Sequence, residues 1–285
     1  MNVAVVVPVR DGARYLEAAI ASVRAQTRAA AELIVVDDGS TDASAALAER
    51  LGVRCLRQQN RGPAAARNRG VDASSAELIA FLDADDLFLA DKLRLQVPLF
   101  DDPDVVACCS DAWVRSGDRR GPAKNGDRWA AERITFGDLL EGNPVICSSV
   151  VVRRTAFVAA GGFDADPVLI ATEDYDLWLR LARLGAFVYE RQPLVEYRVH
   201  DRSLSDSERF LRGVDRAMDK VEAAWGDETG VRAAARRRRG GLRIDAAWHA
   251  LQRGDRRRAR LLLGDARALG ARGWKARWLW LRALV

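Results

Sequence analysis

The run Val3-Ala-Val-Val-Val-Pro-Val9 carries no charged or hydrogen-bonding side chain. A strand that is apolar on both faces must be covered on both faces, as in a parallel sheet packed between helices. The following segments repeat that demand. Leu16, Ile20 and Val23 recur at helical spacing over 13–26, and Leu33-Ile-Val-Val36 is a second buried strand. An Ala-rich helix, capped by Thr41 or Asp42, then runs to Leu51. A short strand over 53–56, a helix over 64–73 and a strand over 78–82 follow. Strand and helix alternating at these lengths predict an α/β sandwich around a mainly parallel sheet.

Past residue 104 the pattern loosens. Strands are expected over 105–109, 148–152, 187–189 and 194–199, with an amphipathic helix over 173–184 through Tyr175, Leu177, Trp178, Leu181 and Leu184. From about residue 206 the composition turns to Ala, Arg, Leu and Trp without a strand signal. Three or four helices are expected there, broken at Gly226, Gly254 and Gly270–Gly273. The chain therefore divides into an α/β domain over 1–205 and a helical region over 206–285. Residues 201–285 hold 21 Lys+Arg against 11 Asp+Glu, whereas residues 1–200 hold 24 against 29. An acidic body carries a basic tail.

Composition removes several classes. With 49% apolar residues in 285, the chain has the material for a core and is not a disordered protein. No uncharged apolar stretch nears the ~18 residues that a membrane span needs, and the N-terminal run, holding Pro8 and closed by Arg10, is too short for a signal-peptide core. Cys55, Cys108, Cys109 and Cys147 show no C-x-x-C spacing. They read as reduced thiols of a cytoplasmic protein, not as a zinc site or disulfide framework. No G-x-G-x-x-G follows the first strand, which sets dinucleotide redox chemistry aside.

Ligands of open α/β sheets bind beyond the carboxyl ends of the strands, and acidic residues stand at two such ends: Asp37-Asp38 and Asp83-Ala-Asp85-Asp86. In extended backbone, residues i and i+2 share a side, so Asp83 and Asp85 converge. Their repulsion is relieved by a divalent cation, and hard oxygen ligands suit Mg²⁺ or Mn²⁺. Helix capping would need only one Asp. The Asp37-Asp38-Gly-Ser-Thr-Asp42 segment is also ordinary turn chemistry; beside a second acidic strand end it reads as a nucleoside pocket. Glu173 and Asp174 follow Thr172 at a helix start, where the dipole favours an ionised carboxylate, as a general base requires.

Five segments stand in order: Val5-Val-Val-Pro-Val-Arg-Asp11, Leu33 to Asp42, Asn60-Arg-Gly-Pro-Ala-Ala-Ala-Arg-Asn-Arg-Gly70, Phe81-Leu-Asp-Ala-Asp-Asp86 and Glu173-Asp-Tyr-Asp-Leu-Trp178. Together they resemble the family 2 glycosyltransferases of GT-A fold, over residues 1–205. The resemblance implies an inverting transfer of one sugar from a nucleotide-diphospho-sugar donor to a glycan or lipid-linked acceptor. It implies that Asp38 accepts a hydrogen bond from the base, with Pro8 and Arg10 in that pocket wall. Arg67 and Asn68 would help hold the nucleotide, Asp83 would lie near the ribose, and Asp85 would ligate the metal. Asp174 would be the base, and His200 a further metal or phosphate contact. Similar enzymes carry an aromatic residue at position 10 and Asn at 11; here they are Arg10 and Asp11. The Gln-x-x-Arg-Trp signature of processive synthases is missing, which favours one sugar per encounter. A nucleotidyltransferase is the competing enzyme class, but Val9-Arg-Asp-Gly-Ala13 makes a poor phosphate loop. A silent nucleotide-sugar-binding protein would need neither Asp85 nor Asp174.

The tail admits two readings. Trp274, Trp278 and Leu281 fall at i, i+4, i+7, which predicts packing on neighbouring helices with the arginines in solvent, and this is the preferred one. The alternative lays Trp274, Trp278 and Trp280 in a headgroup region with Lys275, Arg277 and Arg282 on anionic lipid, giving peripheral contact with the inner face of the cell membrane. Arg236–Arg239 and Arg256–Arg258 come with no recognition motif or aromatic platform, so nucleic acid is not expected.

Overall fold

The computed structural model describes residues 1–117, 119–126, 132–199 and 207–284. It consists of two compact units, Met1–Phe136 with Pro144–Leu204, and Gly137–Asn143 with Ser205–Val285.

The first unit opens with β1 (Val3–Val9), α1 (Ala13–Arg24), β2 (Glu32–Asp37), α2 (Ser44–Arg50), β3 (Arg54–Arg57), α3 (Pro63–Asp72) and β4 (Leu78–Phe81). Apart from α5 (Phe136–Glu141), which from Gly137 on belongs to the second unit, the first unit continues with β5 (Leu87–Phe88), α4 (Lys92–Gln96), β6 (Val105–Ser116), β7 (Arg119–Ala123) and β8 (Arg133–Ile134). β9 (Val151–Arg153), α6 (Arg154–Ala159), α7 (Glu173–Leu181) and β10 (Ala186–Val199) complete it. Among the described residues the strands form a ten-stranded sheet, with backbone order β3-β2-β1-β4-β9-β6-β10-β5 and with β7 and β8 beside β6 and β10. β1, β2, β3 and β4 are parallel, and β6 pairs parallel with β10. β9 runs antiparallel between β4 and β6. The central sheet is mostly parallel, as the apolar runs require.

Both faces of β1 are covered. Val3, Val5, Val7 and Val9 join Leu16, Ile20 and Val23 of α1 in one cluster. On the other face α3 lies so close that a Cβ on Gly70 would meet Val6 Cγ1 at 2.3 Å. The antiparallel entry of β9 brings a turn from far along the chain to the carboxyl side of the sheet. Its register sets Val151 opposite Ala80, so the turn just before it, Cys147–Ser149, stands beside the carboxyl end of β4.

Several elements depart from expectation. The helix over 173–184 stops at Leu181, and Leu184 is exposed. The strands expected over 187–189 and 194–199 are one strand, β10, which crosses Glu190–Pro193 by shifting register against β6; a bulge is where a sheet accommodates proline. The segment 148–152 begins as a 3₁₀ turn. α2 starts at Ser44, and Asp42, not Thr41, takes up the Ser44 N–H at 2.9 Å.

In the second unit the helical tail forms α8 (Ser207–Trp225), α9 (Val231–Gln252), α10 (Arg256–Ala268) and α11 (Trp274–Leu284), broken at the glycines expected. Leu211, Ala247, Ala250, Leu262 and Leu263 form its core with Ala276, Leu279 and Ala283 of α11. Arg243 binds Asp215 at 2.7 Å and Arg239 binds Asp219 at 2.6 Å, tying α9 to α8. The packing expected of Trp274, Trp278 and Leu281 is not found. They are 80%, 43% and 65% exposed, because α11 meets its neighbours through Ala276, Leu279 and Ala283 instead, with Trp280 partly buried against the same core.

Candidate active site

The carboxyl ends of β1, β2 and β4 bring the acidic segments together, and each is held in its own way. Pro8 is buried in β1 opposite Val36, and Arg10 is exposed just past its end. Asp38, buried, accepts from Gln58 Nε2, from the Arg61 N–H and from the Gly62 N–H, all at 2.8 Å. With its amide turned to suit both neighbours, Asn60 accepts from Arg10 at 2.7 Å and donates to Asp38 at 3.2 Å. Asp38 thus fastens the 58–62 loop to the end of β2. Gly62, at φ +89°, takes a backbone form that other residues strain to adopt, and Pro63 then starts α3.

One turn into α3, Arg67 is buried and spans two carboxylates. Its Nη2 lies 2.7 Å from Asp83, and its Nη1 lies 2.7 Å from Glu173. The guanidinium also covers the Phe163 ring, 5.2 Å from its centroid. Asn68 exchanges two hydrogen bonds with the Phe163 backbone, at 2.7 and 2.9 Å, so its amide holds that loop in place.

Beyond β4, the Asp83 N–H donates to Ser148 Oγ at 3.0 Å, and the Ser148 hydroxyl donates to Asp86 at 2.5 Å. The Arg198 N–H reaches Asp86 at 2.8 Å, and its Nε reaches the Asp85 carbonyl at 2.9 Å. Burial, then the charges of Asp85 and Asp83, holds the Asp86 carboxyl well above the usual carboxylate range. Asp174 stands at the start of α7, half-buried, accepting from the Tyr175 N–H at 2.7 Å. Burial and the neighbouring Glu173 push its carboxyl up to about 7. Arg67 works against that rise. The Lys124 ammonium lies 4.2 Å from the Tyr197 ring centroid. Lost solvation pulls it below the ordinary lysine range, against the pull of Asp174, Asp86 and Asp111. Glu173 Oε2 is buried and has no hydrogen-bond partner among the described residues.

Arg67, Asp83 and the 173–174 pair are therefore neighbours in space, with Asp85 and Asp86 next to them, whereas Asp38 at the end of β2 and Arg10 past the end of β1 both meet the 58–62 loop. Asn68 faces Phe163. His200 lies outside the described residues. Ser148, Lys124 and Arg198 were not anticipated. Ser148 is 65 positions from Asp83, and nothing in the Cys147-Ser-Ser149 stretch marks it; Arg198 could have been found from Tyr197-Arg-Val, which precedes His200.

Among the described residues no three His, Cys, Asp or Glu side chains are already gathered as a cation site. The donor chemistry fits Mg²⁺ or Mn²⁺ all the same: the oxygens gathered there are hard donors, and, after burial, the charges of Asp85 and Asp83 add to the rise of Asp86.

Residues 4–158 match the family model described as glycosyl transferase family 2. The chain belongs to that family. A second model, glycosyltransferase like family 2, matches residues 135–226. An uncharacterized glycosyltransferase of Rickettsia typhi is 27% identical over 78% of this chain and 70% of its own length. A putative teichuronic acid biosynthesis glycosyltransferase of Bacillus subtilis is 28% identical over 72% and 82%. A succinoglycan biosynthesis protein of Rhizobium meliloti is 34% identical over 65% and 58%. Among solved structures, S. aureus TarS (residues 1–349) superposes with a TM-score of 0.70 at 16% identity, covering 93% of this chain and 80% of that one. A Pyrobaculum calidifontis mannosyltransferase, solved with GDP-mannose and Mn²⁺, gives 0.61 at 19% identity over 99% and 84%. The fold of this family 2 transferase is accordingly the GT-A fold.

Proposed function

We propose that the chain transfers a single sugar, with inversion, from a nucleotide-diphospho-sugar to a hydroxyl of a glycan or lipid-linked acceptor. The observation that supports this reading is Asp174. It is a half-buried carboxyl raised to about 7, beside a cluster of carboxylates at the strand ends where an α/β sheet binds its ligand. A base of that strength can take a proton near neutral pH. The acceptor hydroxyl gives its proton to Asp174, its oxygen bonds to the anomeric carbon, and the bond to the diphosphate oxygen breaks with its electron pair. Glu173 and Arg67 hold α7 against Asp83, which sets Asp174 in place.

Asp85 is the residue assigned to hold a divalent cation; the chemistry such an ion supplies is neutralisation of the departing diphosphate's charge. Asp83 would meet the ribose and Asp38 with Arg10 the base, Asp38 acting through the 58–62 loop that it fastens. The donor class is supported by two complexes of a structural relative, TarS with UDP and TarS with UDP-GlcNAc. Relatives named for succinoglycan and teichuronic acid biosynthesis support a glycan acceptor.

Thermal shift with UDP or GDP, each with Mn²⁺, tests the donor site. Stabilisation that needs both nucleotide and metal, and that disappears in Asp85→Ala, is expected. Unchanged stabilisation of Asp85→Ala removes the metal assignment.

A further inference from the structure

Helix α11 is apolar on two opposite sides. Ala276, Leu279 and Ala283 are buried in the helical unit. Trp274, Trp278 and Leu281 stand on the other side, largely in solvent. At about 100° per residue these three fall within an arc of about 60°. Lys275 and Arg282 border that arc on one side and Arg277 on the other; the Arg282 guanidinium rests 4.9 Å from the Trp278 ring centroid. Single exposed apolar residues are ordinary, but a row of them, two being tryptophan, marks a docking face.

Charge selects the occupant. Residues 271–285 hold four cations, Arg272, Lys275, Arg277 and Arg282, and no acidic side chain; Lys275 is paired with Asp245 of α9 at 2.7 Å, which leaves the arginines to set the charge of the face. A second copy of α11 laid on this face would set arginine against arginine. An anionic bilayer surface answers both demands, taking indole rings at headgroup level and cations on lipid phosphates. No helix among the described residues is long and apolar enough to cross a membrane, so the contact is one of lying on the surface.

We propose that α11 docks flat on an anionic lipid surface through Trp274, Trp278 and Leu281, with Arg277 and Arg282 on the headgroup phosphates. The inference is independent of the chemistry assigned to Asp85 and Asp174.

The test is sedimentation of the full chain with vesicles of phosphatidylcholine, with and without phosphatidylglycerol, read together with tryptophan emission. Binding to the phosphatidylglycerol vesicles, a blue shift, and weakening in high salt are expected. Trp274→Ser combined with Trp278→Ser should reduce binding at least about tenfold. Arg277→Gln and Arg282→Gln should each cost about fivefold. These side chains are exposed, so circular dichroism should be unchanged and serves as the folding control. Absence of binding to either vesicle, or binding unaffected by the tryptophan pair, overturns the proposal. So does a dimer in sedimentation equilibrium that the tryptophan pair abolishes, which would assign the face to a second copy.

Discussion

At the scale of single residues, activity turns on protonation. A base acts only as the carboxylate, so turnover should fall on the acid side of about pH 7, where Asp174 takes up a proton, and level off above it. Lys124 adds a positive charge to that neighbourhood. Lys124→Met should therefore move the acid limb of the kcat profile to higher pH, and Lys124→Arg should restore it. Arg67 is the stability counterpart. Arg67→Met leaves Glu173 buried without its ion pair, and should cost about 3–5 kcal/mol in denaturant unfolding. Lysine should not rescue it, since one ammonium cannot reach toward two carboxylates as the guanidinium fork does. Asp85 and Asp174 stand out in the sequence as carboxylates at a strand end and a helix start, whereas Arg67 entered only through the family resemblance, as a nucleotide contact, and the structure pairs its buried guanidinium with Asp83 and Glu173. Ser148 does not stand out, because it reaches the site only through the pairing of β9 with the distant β4, and Lys124 does not, because nothing in the sequence shows that the β6–β7 hairpin sets it beside Tyr197 of β10.

Among the elements, those whose burial is uniform were the most readable. β1 is apolar throughout and β2 is apolar from Leu33 to Val36, ending in the buried Asp37, and α3 begins at a Gly-Pro pair and carries a glycine where it meets the sheet. That contact makes Gly70→Ala a sharp probe. The new methyl would collide with Val6, and a loss of about 1–3 kcal/mol is expected in thermal or urea unfolding. β10 reads as two strands in the sequence because Glu190-Arg191-Gln192-Pro193 looks like a turn, whereas a register shift carries the strand through. α11 shows a different limit. Its apolar residues surround the helix, so periodicity alone does not say which side is covered. Ala276, Leu279 and Ala283 face inward with Trp280 partly buried beside them, while Trp274, Trp278 and Leu281 face outward.

For the molecule as a whole, two separate cores imply two separable stabilities. Calorimetry should show more than one transition. Nucleotide with Mn²⁺ should raise only the one belonging to the α/β unit, because a ligand stabilises what it binds. A single transition that shifts as a whole would contradict that division. The charge asymmetry between the body and the tail was plain from the sequence, but which side of the tail faces water was not. The central claim is that Asp174 takes the acceptor's proton while other residues hold the donor. Its most direct test measures transfer and donor-nucleotide binding on one preparation of Asp174→Asn. Transfer should fall by about 10²–10⁴-fold with nucleotide binding unchanged. Transfer that persists, or binding lost in step with it, would contradict that claim.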